Sequence, residues 1–281
     1  MKPILLIPFV MALPVFAGTP APVTPPPPPS EQGFTLGLEA LYLRSYQSNG
    51  QYDTGDWDFG GRGSLGYQFG DGLFVKATYF GYGSDVQGYI AEGKNGEYTI
   101  NSAELDVSYI DLVVGQNFKP TENLKLSPYV GLRWGTFEES ATSVKYYSDG
   151  DFKEGERRGN DFSGLGIVLG IDMTRSLGNN FSLYGVAKQS VLFGESDNTD
   201  IKYKVDTDPD NKSYSDDRVV YITELGLGLQ YDFCFNNVVG NVRLGVEAQY
   251  WGGLSSEKVD GKESNANTGL AGFVLGANFR F

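Results

Sequence analysis

The segment from Trp57 to Phe69, WDFGGRGSLGYQF, alternates apolar and polar residues with a period of two. Successive side chains of a β-strand point to opposite faces of a sheet. The aromatic residues and the leucine therefore share one face, and polar residues such as Asp58 and Arg62 share the other. A tilted strand needs about 9–11 residues to cross a lipid bilayer, and this segment is long enough. The alternation predicts a transmembrane β-strand with one lipid-facing side.

The same alternation recurs along the chain, and no segment has the period of an amphipathic helix. Ten segments qualify, near residues 34–47, 56–69, 73–84, 102–118, 126–140, 161–174, 181–194, 218–232, 240–252 and 268–281. A soluble β-sandwich would have shorter strands, whereas a closed barrel leaves no unpaired edge in hydrocarbon. The sequence therefore predicts an all-β fold, a transmembrane antiparallel up-and-down β-barrel of ten strands, or of twelve if one pair escapes the pattern.

The connections between these segments alternate in length. Short turns are predicted at 70–72, 119–125, 175–180 and 233–239, and the long polar series is 48–55, 85–101, 141–160, 195–217 and 253–267. Outer-membrane barrels have short periplasmic turns and longer extracellular loops. We therefore expect both termini in the periplasm and the long loops outside the cell. In the fourth segment the apolar parity changes near Ser108 and Tyr109, which predicts a β-bulge.

The first residues have the features of an export signal. Lys2 precedes an apolar stretch at 4–16 that is interrupted by prolines and ends before a small residue. Residues 1–17 are therefore predicted to be a signal peptide and not a membrane anchor. Residues 18–33 include five consecutive prolines and predict a stiff polyproline II spacer, either an inert periplasmic tail or a tether to a periplasmic partner. The predicted barrel covers residues 34–281.

Composition excludes several classes of function. The chain has no histidine, which excludes Ser/His catalytic triads and His-ligated metal sites. Its only cysteine, Cys234, allows no intrachain disulfide and is interpreted as a small apolar residue. No paired carboxylates suggest acid–base catalysis, so we expect no enzymatic activity and no cofactor. The net charge of −13 argues against nucleic acid as a partner, because its phosphates would be repelled.

The polar face of each strand is expected to line the barrel interior. By the parity of their strands, the ionisable residues on this face are Glu39, Asp58, Arg62, Lys76, Arg133, Lys188, Glu224, Arg243 and Glu247. Because both signs are present, these side chains could pair across a narrow lumen and hold the barrel together. Alternatively, the basic members could form a field that favours the passage of small anions.

Two of the long connections carry charged motifs. Asp206, Asp208 and Asp210 repeat the alternating oxygen ligands that open a calcium-binding loop. The glycine and the bidentate glutamate of that motif are missing, so a solvated acidic loop is predicted, with weak calcium or magnesium binding as the alternative. The connection at 141–160 mixes basic and acidic residues. It is interpreted as a charged surface loop, with contact to anionic lipopolysaccharide as the alternative.

The chain ends in an alternating strand whose last apolar residues are Phe279 and Phe281. A terminal phenylalanine on such a strand resembles the signal by which the outer-membrane assembly machinery recognises its clients. The expected partners are that machinery, outer-membrane lipid and lipopolysaccharide, and small solutes or ions.

Several glycine-rich and aromatic stretches resemble a known family. They are GFTLGLEALY at 33–42, DWDFGGRGSLGY at 56–67, GLGIVLGID at 164–172, FSLYG at 181–185 and VEAQYW at 246–251. These stretches are similar to the Legionella-type family of pore-forming outer-membrane proteins, which includes major outer membrane proteins. The resemblance spans most of the chain after the spacer. It implies a membrane barrel with a pore and without catalytic residues.

The expected function is a small outer-membrane pore for the passive passage of ions or small solutes. The alternative is a plugged structural or surface-binding barrel, since barrels of about eight strands are filled by their own side chains and open channels are typical at 16–18 strands. An outer-membrane enzyme is the third class, and the absence of histidine disfavours it.

Overall fold

The computed structural model describes residues 32–47, 57–92, 96–205, 207–235, 238–259 and 262–281. The predicted signal peptide, all but the last two residues of the proline-rich spacer, the connection at 48–55 and Asp206 lie outside these residues. Nearly all described residues lie in β-strands. None of them belongs to a helix that is long and apolar enough to cross a membrane.

The strands follow one another directly along the chain. Their bounds are β1 Gly33–Gln47, β2 Trp57–Gln68, β3 Leu73–Glu92, β4 Tyr98–Gln116, β5 Phe118–Thr121, β6 Leu124–Tyr146, β7 Phe152–Gly178, β8 Phe181–Lys204, β9 Asp210–Phe235, β10 Val238–Val259 and β11 Lys262–Arg280. The short strand β5 forms a small hairpin with the start of β6. Each of the other strands contains or closely overlaps one segment that the alternation predicts.

The sheet closes into a barrel. Neighbouring long strands pair antiparallel in the order β4, β3, β2, β1, β11, β10, β9, β8, β7 and β6, and β4 also pairs with β6. The first and last strands pair along their length, with Leu38 opposite Ala277 and Tyr42 opposite Phe273. The predicted closed antiparallel barrel is confirmed.

At one end of the barrel the strands extend far beyond the predicted segments. We call this the hairpin end, and the opposite end, where β1 begins and β11 stops, the terminal end. β7 and β8 pair without a register shift from Ser176 opposite Ser182 to Glu154 opposite Lys204. The connections predicted at 85–101, 141–160, 195–217 and 253–267 are therefore largely paired strands within the described residues, not loops.

Opposite charges explain why polar sequence continues as strand where β7 and β8 pair at the hairpin end. Glu156 lies opposite Lys202 and Arg158 lies opposite Asp200 in the register. The Lys202 ammonium is 3.3 Å from the Glu156 carboxylate and 3.6 Å from that of Asp200. Complementary cross-strand pairs stabilise a sheet by roughly 0.2–1 kcal/mol each. The paired strands, which are also bonded to β6 and β9, can thus continue outside the membrane without an apolar face.

The β-bulge predicted at Ser108 and Tyr109 is wrong. The pairing of β4 with β3 and β6 continues through both residues without a shift. The apolar parity changes because the barrel interior itself becomes apolar: Val107 and Tyr109 point inward and are buried, whereas Ile110 and Leu112 point outward and are exposed. The switch from polar to apolar inward residues along β4 changes the apolar parity of the sequence in the same way as a bulge would.

The turn between β7 and β8 is tight. Only Asn179 and Asn180 separate the two strands, within the predicted turn at 175–180. Their φ angles are 51° and 65°, in the left-handed region that asparagine tolerates better than most residues. Positive φ at both central residues is the geometry of a type I′ turn, whose twist matches that of the flanking strands.

The outer surface of the barrel is a band of exposed apolar side chains. Its most exposed members include Phe59, Leu65, Leu112, Leu132, Leu165, Ile167, Leu169, Phe193, Leu225, Leu229, Leu244 and Leu275. Aromatic rings cluster within it, and the ring of Tyr42 lies 5.2 Å from that of Trp57 and 4.8 Å from that of Phe59. A contiguous apolar surface of this extent is unfavourable in water and fits hydrocarbon.

A charge placed in the centre of this band should destabilise the barrel. Val246 points outward, is 52% exposed and lies midway along the apolar face of β10. Val246→Arg is expected to lower the free energy of unfolding from lipid vesicles by about 2–4 kcal/mol, measured by urea titration. The matched control Val246→Ala keeps the site apolar and should change it much less. An equal effect of both substitutions would contradict the placement of Val246 in lipid.

Candidate functional site: a filled lumen

The inward side chains of the barrel change from polar to charged to apolar from the terminal end to the hairpin end. Along β10 they run from Asn241 and Arg243 at the terminal end through Glu247 and Gln249 to Trp251 toward the hairpin end. Other strands follow the same order. The lumen therefore holds three levels: a polar cavity, a layer of ion pairs that we call the ion layer, and a group of apolar side chains that we call the apolar cluster.

Arg133 is the centre of one half of the ion layer. Its Nε and Nη2 atoms donate to the two carboxylate oxygens of Asp111 at 2.6 and 2.7 Å, and its Nη1 atom donates to Glu224 at 2.6 Å. The guanidinium lies 3.7 Å from the ring centroid of Tyr109, whose hydroxyl donates to Glu224 at 2.8 Å. Arg133 is completely buried, so its charge is compensated entirely by these neighbours.

Arg62 organises the other half. Its Nη1 atom donates to Glu39 at 2.7 Å, and its guanidinium binds both carboxylate oxygens of Glu247 at 2.5 and 2.9 Å. Arg243 also pairs with Glu39, so one carboxylate bridges two guanidinium groups. The Nη2 atom of Arg62 lies 3.7 Å from Glu224, which joins the two halves. Charge-assisted bonds of this kind are stronger than neutral ones.

Seven of the nine residues expected in the lumen meet in this layer: Glu39, Arg62, Arg133, Lys188, Glu224, Arg243 and Glu247. Lys188 joins through Glu224 at 3.3 Å. The other two lie apart. Asp58 accepts a hydrogen bond from Ser84 at 2.6 Å, and Lys76 pairs with Asp172 at 3.4 Å.

Sequence reasoning missed two members of the layer, Asp111 and Tyr109. Both lie on β4, where the assumed bulge shifted the inward parity by one residue. A continuous strand would have placed Tyr109, Asp111 and Val113 on one face, as the structure does. The signal was therefore present, and it was obscured by the assumption that every inward residue is polar.

The apolar cluster fills the lumen between the ion layer and the hairpin end. Its members, each at most 5% exposed, are Leu41, Leu43, Phe80, Tyr82, Leu105, Val107, Tyr109, Phe137, Phe162, Leu192, Val220, Ile222, Trp251, Leu254, Leu270 and Val274. Every long strand except β2 contributes. The expectation that polar strand faces line the whole lumen is therefore wrong over the length of the apolar cluster. Ten strands enclose too little space to leave inward side chains in water.

Glycines make room where inward side chains are largest. A Cβ atom on Gly135 would lie 2.9 Å from a methyl of Leu192 and 3.8 Å from the ring of Trp251. A Cβ atom on Gly276 would lie 3.0 Å from Glu39 and 3.2 Å from Arg243. The distances to Leu192, Glu39 and Arg243 are shorter than ordinary packing, so glycine at these positions lets the cluster and the ion layer approach the wall.

The remaining level is a polar cavity of about 420 Å³ at the terminal end. The side chains that line it come from the first inward positions of most strands, and they include Thr35, Lys76, Asp172, Arg243 and Arg280. Beside it, Val113, Tyr129, Val168 and Phe74 form a second, smaller apolar group. The cavity is therefore bounded inward by the ion layer and laterally by apolar side chains.

The other residues singled out in the sequence lie at the two ends. Asp208 and Asp210 are exposed, and Asp210 pairs with Lys212 at 3.4 Å. Within the described part of the chain, no three acidic or cysteine side chains are grouped so that they could hold a metal ion. Phe279 packs edge-on to Phe233 at 6.3 Å, and the backbone N–H of Phe281 donates to the carbonyl of Phe34 at 3.0 Å.

Residues 27–281 match the family described as Legionella pneumophila major outer membrane protein precursor. The chain belongs to this family. The match covers the whole barrel, which places this family member in the bacterial outer membrane and its apolar band in lipid. No curated protein sequence matches the chain.

Solved structures of other outer-membrane proteins are similar to the chain over most of its length. The outer membrane protease OmpT from Escherichia coli is 11% identical with a TM-score of 0.52, over 90% of this chain and 98% of that one. A major outer membrane protein from Thermus thermophilus is 14% identical with a TM-score of 0.38, over 89% and 99%. Neisserial surface protein A is 14% identical with a TM-score of 0.33, over 89% and 97%. Identities this low show at most the fold, and OmpT's activity is not carried over to this family member.

Removal of the central guanidinium should destabilise the barrel strongly. Arg133→Met leaves the carboxylates of Asp111 and Glu224 buried without their main partner, so the free energy of unfolding is expected to fall by about 3–5 kcal/mol. Tryptophan fluorescence during urea unfolding from vesicles measures it. The control is Lys202→Met in the exposed pair with Glu156, where the expected change is at most about 1 kcal/mol. A small change in Arg133→Met would mean that the ion layer contributes little.

Proposed function

We propose that the protein is a closed, non-enzymatic outer-membrane barrel that presents its hairpins as a binding surface outside the cell. The observation that carries this proposal is the apolar cluster, which crosses the lumen from nearly every strand. An aqueous path along the barrel axis would have to pass through it. The family's description as a major outer membrane protein is compatible with a structural or surface role of this kind.

The energetics of the cluster favour the closed state. Full burial of a large apolar side chain contributes about 1.5–3 kcal/mol, and Trp251, Phe137 and Phe162 are at most 2% exposed. Moving several such side chains aside would expose them to water while the strands stay hydrogen-bonded. The cluster can rearrange locally, but a continuous water-filled channel is strongly disfavoured.

The ion layer adds a second barrier. Its cations already hold carboxylates at hydrogen-bond distance, as in the pairs of Arg62 with Glu247 at 2.5 Å and of Arg133 with Asp111 at 2.6 Å. An ion that entered the layer would have to displace one of these partners. This arrangement supports the interpretation of the lumen charges as internal salt bridges.

The hairpins are the part of the protein that is free to bind. We propose that they face the exterior and that both chain termini face the periplasm, in keeping with the short turns at the terminal end. The β6–β7 hairpin mixes basic and acidic side chains, and its Lys145 and Lys153 both pair with Glu97, just before β4, at 3.4 and 2.6 Å. Such a charged surface suits contact with lipopolysaccharide headgroups or with other surface molecules.

Passive passage of small ions remains a second candidate. The polar cavity at the terminal end favours it, because it would serve as one vestibule of a pore. Conduction would then require a second state in which the apolar cluster has moved. The two candidates differ in whether the protein conducts without an added opening signal.

Single-channel recording separates these candidates. The refolded protein in planar bilayers is expected to give no reproducible current steps. The double variant F137A/W251A removes two large members of the cluster and should raise the frequency of discrete openings. Val246→Ala, on the lipid face, is the control and should stay silent. Reproducible steps from the unmodified protein would overturn the closed-barrel proposal in favour of the pore.

The single cysteine provides a test of the orientation. Cys234 is exposed and lies near the end of β9 at the terminal end. A membrane-impermeant maleimide is expected to leave it unlabelled in intact cells and to label it once the outer membrane is permeabilised. A second cysteine introduced as Ser148→Cys, in the turn between β6 and β7, should be labelled in intact cells. The opposite pattern would reverse the proposed orientation.

A further inference from the structure

The polar cavity at the terminal end has an unusual charge for this protein. Its wall contains six cationic side chains, Arg62, Lys76, Lys125, Lys188, Arg243 and Arg280, and three anionic ones, Glu39, Asp172 and Asp232. The whole chain carries a formal charge of −13. A basic recess in an acidic protein attracts anions, and its low-dielectric walls concentrate the field.

The excess positive charge lies toward the mouth. At the floor, Arg62 and Lys188 are compensated by Glu247 and Glu224. Nearer the mouth, Arg280 has no ion-pair partner among the residues that the structure describes, and the ammonium of Lys76 is a long 3.4 Å from Asp172. The cations that a ligand would meet first are thus the least neutralised.

Donor groups also remain available at the floor. The Nε atoms of Arg62 and Arg243 are buried and have no hydrogen-bond acceptor in the described protein. Both side chains line the cavity. A buried donor without a partner is unfavourable by about 1–3 kcal/mol, and an anion in the cavity is the type of ligand that would satisfy it. Neutral polar groups such as Ser64 and Asn278 complete the wall.

We propose that this cavity binds a small anion of the phosphate or carboxylate class through Arg243, Arg280 and Lys76. Its volume of about 420 Å³ lies within the usual range of small-molecule sites, about 300–1,000 Å³. The guanidinium groups offer the planar donor pairs that match such anions. This inference does not rest on the closed-barrel proposal, because the site needs access only from the terminal end.

Calorimetry of the refolded protein in octyl glucoside, which carries no phosphate, tests the site. The probes are inorganic phosphate, succinate and glycerol 3-phosphate, with choline as a cationic control. The anions should bind, choline should not, and affinity should fall between 0.1 and 1 M salt, as screening predicts. Tighter binding of the phosphate ester than of free phosphate would identify a lipid-headgroup type of ligand, and equal binding a free anion. Both results support the site.

Variants decide which residues hold the anion. Arg243→Gln and Arg280→Gln are each expected to weaken anion binding about tenfold or more, the loss of one charge-assisted contact. Arg157→Gln, an exposed arginine on β7 at the hairpin end, should bind like the parent protein. If Arg243→Gln does not fold because Glu39 loses a partner, Arg280→Gln still carries the test. Absence of anion binding in the folded parent protein, or unchanged affinity in Arg280→Gln, overturns the proposal.

Discussion

The pairing of β1 with β11 is the contact on which the rest of the structure depends. Residues 35–47 hydrogen-bond with residues 268–280, so the two ends of the barrel sequence lie side by side. Hydrocarbon offers no partner to a backbone N–H or C=O group. Without this closure two strand edges would be left unpaired, and the apolar outer face could not remain in a bilayer.

Closure with ten long strands also fixes the width of the barrel. This width determines how much space is left for the inward side chains. Beyond the polar cavity, inward side chains from opposite walls meet, so they must pair or pack with one another. The protein meets this requirement in two ways at different depths. Carboxylates and guanidinium groups match one another around Arg62 and Arg133, and large apolar side chains pack around Trp251 and Phe137.

The sequence predicted the lipid-facing side of the barrel better than the interior. Lipid imposes one rule on every outward residue, so alternation located all ten long strands and the closed topology. The interior follows no single rule, and the apolar parity of Val107 and Tyr109 therefore looked like a bulge although they simply point inward. The nine charged residues could be placed on the inward faces by parity. Which of these residues come into contact depends on strand tilt and register. Neither can be derived from the alternation of apolar and polar residues alone.

The length of the hairpins has a consequence for how the protein can change over time. β7 has 27 residues, on the order of 90 Å of strand at about 3.4 Å per residue, and only about 9–11 residues are needed to cross the bilayer. Most of β7 and β8 therefore continues beyond the lipid, where the two strands still pair with each other and with β6 and β9. Sequence in the turns that join β6 to β7 and β8 to β9 at the hairpin end can drift, and even be replaced, without disturbing the membrane-embedded part. With the proposed orientation of the hairpin end toward the exterior, selection by hosts, phages or antibodies can act on these turns while the barrel stays the same.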